Sequence, residues 1–125
     1  MATATSSPAR AFVDALVALD FDRAVAALHP EVDFRAMTPK RIWEAEDAAA
    51  VEPILRKWLD DPDETTESVE ATEPSSIANT VRVGWRARLT TPDGPRVFEQ
   101  QAYVRERDGL IGWIRIVCTG KIPPD

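Results

Sequence analysis

Few side chains in this sequence are of the types that do acid–base, nucleophilic or metal chemistry. His29 is the only histidine and Cys118 the only cysteine, so we expect no metal site and no other cofactor. Histidine is the usual acid or base near neutral pH, but His29 precedes Pro30 at a predicted helix end, where its ring can cap the helix. Cys118 has no evident base beside it to make it a nucleophile. We therefore predict structural roles for both.

The most informative stretch is "FEQQAYVRERDGLIGW", residues 98–113, which is typical of two strands joined by a tight turn. In the first strand Gln100 alternates with apolar neighbours, and the opposite row is charged or polar. Turning that opposite row inward would bury Glu99 and Arg105 at a high free-energy cost. We therefore place Gln100 on the inner face. There it either contacts a ligand or lies at the rim, bonded to water or to the backbone.

Three helices are predicted in the first half. Apolar spacing indicates one from Pro8 to Leu19 and another in "DFDRAVAALHP". The third, in "EDAAAVEPILRKWLDD", should kink or begin late at Pro53, because proline removes a backbone donor and clashes with the preceding turn. Between the second and third helices, "EVDFRAM" alternates like a half-buried strand, and "TPKRIW" can return as its partner.

The second half alternates like a meander of strands in "TTESVEATEP", "IANTVRVGWRARLT", "RVFEQQAYVRE" and "LIGWIRIVCTG". In the second of these, Val81, Val83 and Trp85 share a face opposite a row of arginines, so they should point inward. The closing "KIPPD" should lie outside the sheet. Helices segregated from strands indicate an α+β domain whose helices cover one face of the sheet.

The bulk composition narrows the possible classes. A chain of 125 residues suits one domain, which we place at residues 8–120, between a disordered N-terminal tail (1–7) and a C-terminal tail (121–125). The net charge of −6 argues against nucleic acid as a partner. No apolar run reaches the ~18 residues of a membrane span. A single cysteine favours a reducing, cytoplasmic compartment.

Two stretches carry a resemblance to a known superfamily. "AFVDALVALDFDRAVAALHPEVDF" is similar to the opening of the nuclear transport factor 2-like proteins, and "AYVRERDGLIGWIRIV" is similar to their last hairpin. The superfamily includes ketosteroid isomerases, SnoaL-like polyketide cyclases and limonene epoxide hydrolases. The resemblance covers about Pro8 to Gly120. It implies a cone in which three N-terminal helices pack on a curved, mainly antiparallel sheet, with a pocket between them.

The resemblance and the alternation together predict an apolar, aromatic pocket. Such walls favour a neutral aromatic or polycyclic molecule over a phosphate or a sugar. Trp43, Trp58 and Trp85 are equally compatible with plain core. Trp43 leads to the third helix, where the resemblance implies a pocket mouth. The predicted ligand-binding residues are Phe12, Phe34, Trp43, Trp58, Val83, Trp85, Gln100, Ala102, Ile114 and Ile116.

The catalytic groups of the ketosteroid isomerases are not kept. By resemblance, their tyrosine falls on Phe12, their base on Ala36, and their protonated acid on Ala102 or Gln101. None of these four side chains can do the corresponding chemistry. We therefore expect no isomerisation of 3-ketosteroids.

The other two enzyme classes need acidic groups near the pocket. The pair Asp33 and Arg35 could imitate the epoxide hydrolases, but both residues lie on the strand face opposite Phe34 and should be exposed. For a SnoaL-like enzyme, Glu44 or Glu46 in a loop could reach the mouth. A bound water could also supply the base.

The sequence thus supports a small-molecule binding protein, with SnoaL-like turnover left open. The alternative is a non-catalytic module whose outer sheet face recognises a protein. Aromatic residues on a sheet face not covered by helices are typical of an interface. We therefore predict a homodimer through the face that carries Tyr103, Trp113 and Arg115.

Overall fold

The computed structural model describes residues 7–124, which form an α+β domain of three helices and one seven-stranded mixed sheet. The predicted disordered tail lies outside the described residues except for Ser7. The helices are α1 (Pro8–Val17), α2 (Phe21–Ala26) and α3 (Ala48–Leu59), and the strands are β1 (Leu28–Thr38), β2 (Arg41–Ala45), β3 (Thr65–Ala71), β4 (Ser75–Ile77), β5 (Thr80–Thr91), β6 (Gly94–Arg107) and β7 (Leu110–Cys118).

Each helix begins at a side-chain cap. Ser7, Asp20 and Asp47 each accept a hydrogen bond from a backbone N–H three residues on, which satisfies a donor that the helix itself leaves free. The predicted late start of the third helix is wrong: α3 begins directly after Asp47 and continues through Pro53. Its apolar stripe packs on the sheet, and such packing outweighs the local propensity of a single residue.

The strand order of the sheet is β2-β1-β7-β6-β5-β3, and β4 pairs with β5 beside β3. All pairings are antiparallel except that of β1 with β7, which is parallel. The first strand after the helices thus lies next to the last strand of the chain. This brings the turn between β1 and β2 close to the residues that follow β7.

The helices cover one face of this sheet, as the sequence predicted. Helix α1 packs against β3, β5 and β7, whereas α3 packs against β1 and β2. The inward rows of β5 and β6 are those expected: Trp85 and Ala102 are buried, and Gln100 is buried with them. Glu99 and Arg105 are exposed. No helix among residues 7–124 has the length and apolar character needed to cross a membrane.

The segment after β7 departs from the prediction. Ile122 forms an isolated antiparallel bridge with Val97, and its N–H and C=O bond to that residue at 2.9 and 2.8 Å. The expectation that "KIPPD" lies outside the sheet is therefore wrong at Ile122. Gly120 makes the approach possible: its φ is +81°, and a Cβ there would lie 2.6 Å from Pro39.

His29 also departs from the prediction, because it lies within β1 and not at a helix end. Helix α2 ends at Ala26, three residues earlier. The Nδ1 atom of His29 accepts a hydrogen bond from the Glu31 N–H at 3.0 Å, and its Nε2 atom is 3.4 Å from an Asp108 carboxylate oxygen. The ring thus links β1 to the turn before β7, a structural role of a different kind.

Candidate functional site

A cavity of about 480 Å³ opens at one end of the sheet. Four parts of the chain meet there: the turn between β1 and β2, the end of α3, the middle of β6, and the segment after β7. The parallel pairing of β1 with β7 brings the first and last of these together. The wall is formed by residues 38–40 and 118–122 together with Trp43, Lys57, Trp58, Phe98 and Gln100.

Two tryptophans form the aromatic side of this cavity. The rings of Trp43 and Trp58 meet edge to face, with centroids 6.0 Å apart. The Arg41 guanidinium lies 3.5 Å from the centroid of the Trp43 ring, and the Trp43 Nε1–H donates to the Thr38 hydroxyl at 2.9 Å. Because these contacts hold the half-buried indole in place, Trp43 presents a preformed apolar surface.

Gln100 is the polar group at the inner end of the cavity. Its side chain is only 1% exposed, and its Oε1 accepts a hydrogen bond from the Trp85 Nε1–H at 2.7 Å. Its Nε2 is buried and has no hydrogen-bond partner among residues 7–124, and the same is true of the Trp58 Nε1. Leaving a buried donor unpaired costs about 1–3 kcal/mol. The cavity wall therefore includes two side chains with unsatisfied N–H donors.

Lysine–carboxylate pairs surround the opening. Lys57 bonds to Asp61 at 3.0 Å, which raises the pKa of the lysine. The pKa of Asp61 is lowered, first by the hydrogen bond from the Asp63 backbone N–H and then by Lys57. Lys121 bonds to Glu64 at 2.6 Å. In the part of the chain that the structure describes, no aspartate, glutamate or histidine lines the cavity itself.

No protein-family model matches the sequence, and no curated protein matches it. Solved structures do match the fold. One provisionally named an isomerase, from Rhodopseudomonas palustris, aligns with a TM-score of 0.69 at 14% identity over 94% of this chain and 93% of that one. The LEH-like epoxide hydrolase of M. tuberculosis aligns with a TM-score of 0.64 at 19% identity, over 89% of this chain and 79% of that one. An NTF2-like protein of unknown function from Cytophaga hutchinsonii aligns with a TM-score of 0.61 at 14% identity, over 93% of this chain and 92% of that one. The chain has the nuclear transport factor 2-like fold.

The predicted pocket residues of this NTF2-like domain fall into two groups. Trp43, Trp58 and Gln100 line the cavity. The other seven are not on the cavity wall; they are at most 2% exposed and lie in the packed core: Phe12, Phe34, Val83, Trp85, Ala102, Ile114 and Ile116. The deep part of the cone is closed because large rings fill it. Phe12 and Trp85, for example, pack edge to face at 6.1 Å.

Sequence reasoning missed several residues of the cavity wall. Phe98 shares the inward row of Gln100, so alternation could have found it. Cys118 is the register partner of Gln100 in β7 and is half-buried, with its Sγ accepting a hydrogen bond from the Gly120 N–H at 3.3 Å. The lysines carry no local signal, because only the chain topology brings them together.

The structure also shows where the residues compared with catalytic groups lie. Phe12, Ala36 and Ala102 lie in the core and have no group able to move a proton. Asp33 is on the outer sheet face, where Arg115 donates to its carboxylate at 3.1 Å and Arg35 is 3.9 Å away. Asp33 and Arg35 are thus a pair on the outer sheet face, and Phe12, Ala36 and Ala102 are core residues.

The residues of the predicted dimer face lie on the outer side of the sheet. Tyr103 and Arg115 are register partners on β6 and β7. Trp113 is half-buried between two guanidiniums, those of Arg105 at 4.3 Å and Arg115 at 4.5 Å from its ring centroid. These cation–π contacts cover part of the indole within one chain.

Proposed function

We propose that the protein binds a small, mainly apolar molecule, aromatic or polycyclic, in the cavity at the mouth of the cone. The observation that carries the proposal is this cavity of about 480 Å³, walled by Trp43, Trp58 and Phe98 and ending at Gln100. Its volume is within the roughly 300–1,000 Å³ of small-molecule sites, and such sites combine apolar walls with a few polar groups.

The proposal is binding, not one of the reactions of the matched enzymes. The structures that share the fold include proteins named as an epoxide hydrolase and, provisionally, an isomerase. A general acid or base must lie within hydrogen-bond reach of the reacting proton. The described part of the cavity wall carries lysines and one cysteine but no carboxylate or imidazole. Any turnover would therefore have to use a lysine, the cysteine or a bound water as the base.

Isothermal titration calorimetry with aromatic compounds of one to four fused rings tests this function. Trp43→Ala removes the preformed ring surface and should weaken binding at least about tenfold, the effect of about 1.4 kcal/mol. Trp113→Ala is the matched control, because Trp113 is also half-buried and also carries stacked guanidiniums, but on the outer face. Equal effects of the two substitutions, or no saturable binding by the wild type, would refute the proposal.

A second candidate function is protein recognition by the outer sheet face, with a second copy of this chain as the partner. An exposed apolar row crosses three neighbouring strands: Ile42 of β2 pairs with Met37 of β1, which pairs with Val117 of β7. These side chains are 64%, 57% and 51% exposed. Asp33 and Arg35 lie on the same face, so two copies related by a two-fold axis can match opposite charges.

We propose that this row, together with Tyr103, Trp113 and Arg115, forms the homodimer interface. Light scattering should then give a dimer for the wild type, and Met37→Glu or Trp113→Glu should give a monomer, because a charge buried without a partner destabilises an interface. A monomeric wild type contradicts the interface. The small-molecule proposal does not depend on this result, since the cavity is formed within one chain.

A further inference from the structure

All three lysines of the chain line this single cavity. They are Lys40 after β1, Lys57 near the end of α3, and Lys121 after β7. None of the twelve arginines is on the described cavity wall, but the Arg41 guanidinium stacks on the wall residue Trp43. In a protein of net charge −6, this is a local concentration of positive charge at one opening.

The lysines are not fully neutralised by their neighbours. Asp61 pairs with Lys57, and Glu64 pairs with Lys121. Lys40 makes no ion pair or side-chain hydrogen bond with any of residues 7–124. Among residues 7–124, three ammonium groups therefore face two carboxylates, and the Arg41 guanidinium, which stacks on Trp43, adds a positive charge beside the cavity.

The unpaired polar atoms deeper in the wall are also donors. The Trp58 Nε1–H and the amide nitrogen of Gln100 are buried and lack an acceptor, while the Gln100 oxygen is already used by Trp85. The Thr38 hydroxyl accepts from Trp43 and donates to the Arg41 carbonyl. The groups without a partner among residues 7–124 are thus the Lys40 ammonium, the Trp58 Nε1–H and the Gln100 amide nitrogen. They are complementary to oxygen acceptors and not to a ligand that donates.

We infer that the ligand is an aromatic acid, that is, an apolar ring system bearing a carboxylate. This rests on the proposed function, because the ring system must occupy the aromatic cavity. A carboxylate carries a negative charge and only acceptor oxygens, which matches the excess of positive charge and the set of donors. A phosphate monoester carries about −1.5 to −2 charges, so phenyl phosphate is the comparison compound that tests the choice of a carboxylate. The inference replaces the neutral ligand that the sequence predicted.

Calorimetric titration with matched acid and amide pairs tests the inference. Benzoate, 2-naphthoate and anthracene-2-carboxylate are each compared with the corresponding primary amide, which keeps the ring and removes the charge. At least one acid should bind about fivefold tighter than its amide at low salt, the upper range for a solvent-exposed charge pair. Because salt screens such pairs, this ratio should fall at 0.5 M salt.

Variants separate the role of Lys40 from that of net charge. Lys40→Gln should remove most of the preference for the acid and leave the affinity for the amide unchanged, whereas Lys40→Arg should keep the preference. Arg96→Gln is the matched control: Arg96 is outside the cavity and bonds only to the neighbouring Pro95 carbonyl. It should leave the preference intact.

The outcomes distinguish the inference from the function beneath it. Amides that bind as tightly as their acids overturn the inference and leave the proposed function standing. Equal losses in Lys40→Gln and Arg96→Gln also overturn it, because the effect is then one of net charge. Tighter binding of phenyl phosphate than of any carboxylate overturns the choice of headgroup. If none of the six ring compounds binds, the proposed function itself fails.

Discussion

The deep part of the cone and its mouth are built from the same strands but differ in packing. Deep inside, Phe12 of α1 packs on Trp85 of β5, and Ala102 of β6 has no exposed surface. At the mouth, Phe98 of β6 lines an open cavity with three lysines around it. Gln100 stands at the boundary: its oxygen is bonded inward to Trp85, and its nitrogen has no partner. The same fold can therefore close one part of its concave side for stability and leave another open for a ligand.

The largest predicted loss of stability comes from a substitution in the deep region. Trp85→Ala should lower the free energy of unfolding by about 3–5 kcal/mol, because it leaves a cavity in the core and frees the Gln100 oxygen. Trp43→Ala at the mouth should cost less than half as much, since Trp43 is half-buried and adjoins an existing cavity. Urea unfolding measures both. Equal losses would mean that the mouth is as much a part of the packed core as the deep region.

The bond between Gln100 and Trp85 should couple the two regions. Gln100→Met leaves the Trp85 N–H unpaired, and Trp85→Phe leaves the Gln100 oxygen unpaired, so each should cost about 1–3 kcal/mol. The double variant should cost less than the sum of the two, because no unpaired partner remains. Unfolding of all four proteins in urea gives the coupling. Additive costs would show that the 2.7 Å bond is not maintained in solution.

Two glycines provide a smaller and well-controlled test of how the mouth is closed. Gly109 and Gly120 have almost the same φ, +80° and +81°, but an added Cβ meets nothing at Gly109 and lies 2.6 Å from Pro39 at Gly120. Gly109→Ala should cost about 1 kcal/mol, the strain of a positive φ. Gly120→Ala should cost more and should also weaken ligand binding, because it pushes the segment after β7 away from the β1–β2 turn. The same loss in both variants would indicate that the Pro39 contact is unimportant.

The smallest predicted effect is a change in the pKa of Asp61, at the edge of the mouth. The pKa of Asp61 lies below its ordinary value of 3.8. A lowered carboxyl pKa stabilises the fold above the unfolded-state pKa, and this stabilisation is lost as the pH falls through the folded-state pKa. Lys57→Met should raise the Asp61 pKa only part of the way, since the Asp63 N–H still donates to it. NMR titration of the Asp61 carboxyl carbon measures this pKa directly. An Asp61 pKa that is the same in Lys57→Met as in the wild type would contradict the pairing of Asp61 with Lys57.

The sequence predicts the faces of the strands better than it predicts the cavity. In β6 a slip of one residue would bury Glu99 and Arg105, so alternation alone places Gln100 inward, as found. Whether an inward side chain meets packed atoms or open space depends on how closely a helix approaches it, and no local pattern encodes that distance. Phe12 and Trp85 therefore looked like pocket walls and proved to be core.

The sequence also did not predict that Lys40, Lys57 and Lys121 meet at one cavity. These residues are 17 and 64 positions apart along the chain, and they meet only because β1 pairs in parallel with β7 and α3 packs against β1. The resemblance to the superfamily implied a mouth near Trp43, and Trp43 is on the wall of the cavity described above. It did not indicate which charges surround that mouth, since charge at a surface opening is free to vary within one fold.

The most direct test of the central claim, that ligand binds at the mouth and not in the deep cone, is NMR of the four tryptophan indole N–H groups. Trp43 and Trp58 line the cavity, Trp85 lies in the core, and Trp113 is on the outer face. During titration with 2-naphthoate, and in parallel with 2-naphthamide, the Trp43 and Trp58 signals should shift most, Trp85 less, and Trp113 not at all. Largest shifts at Trp85 or at Trp113 would contradict the account.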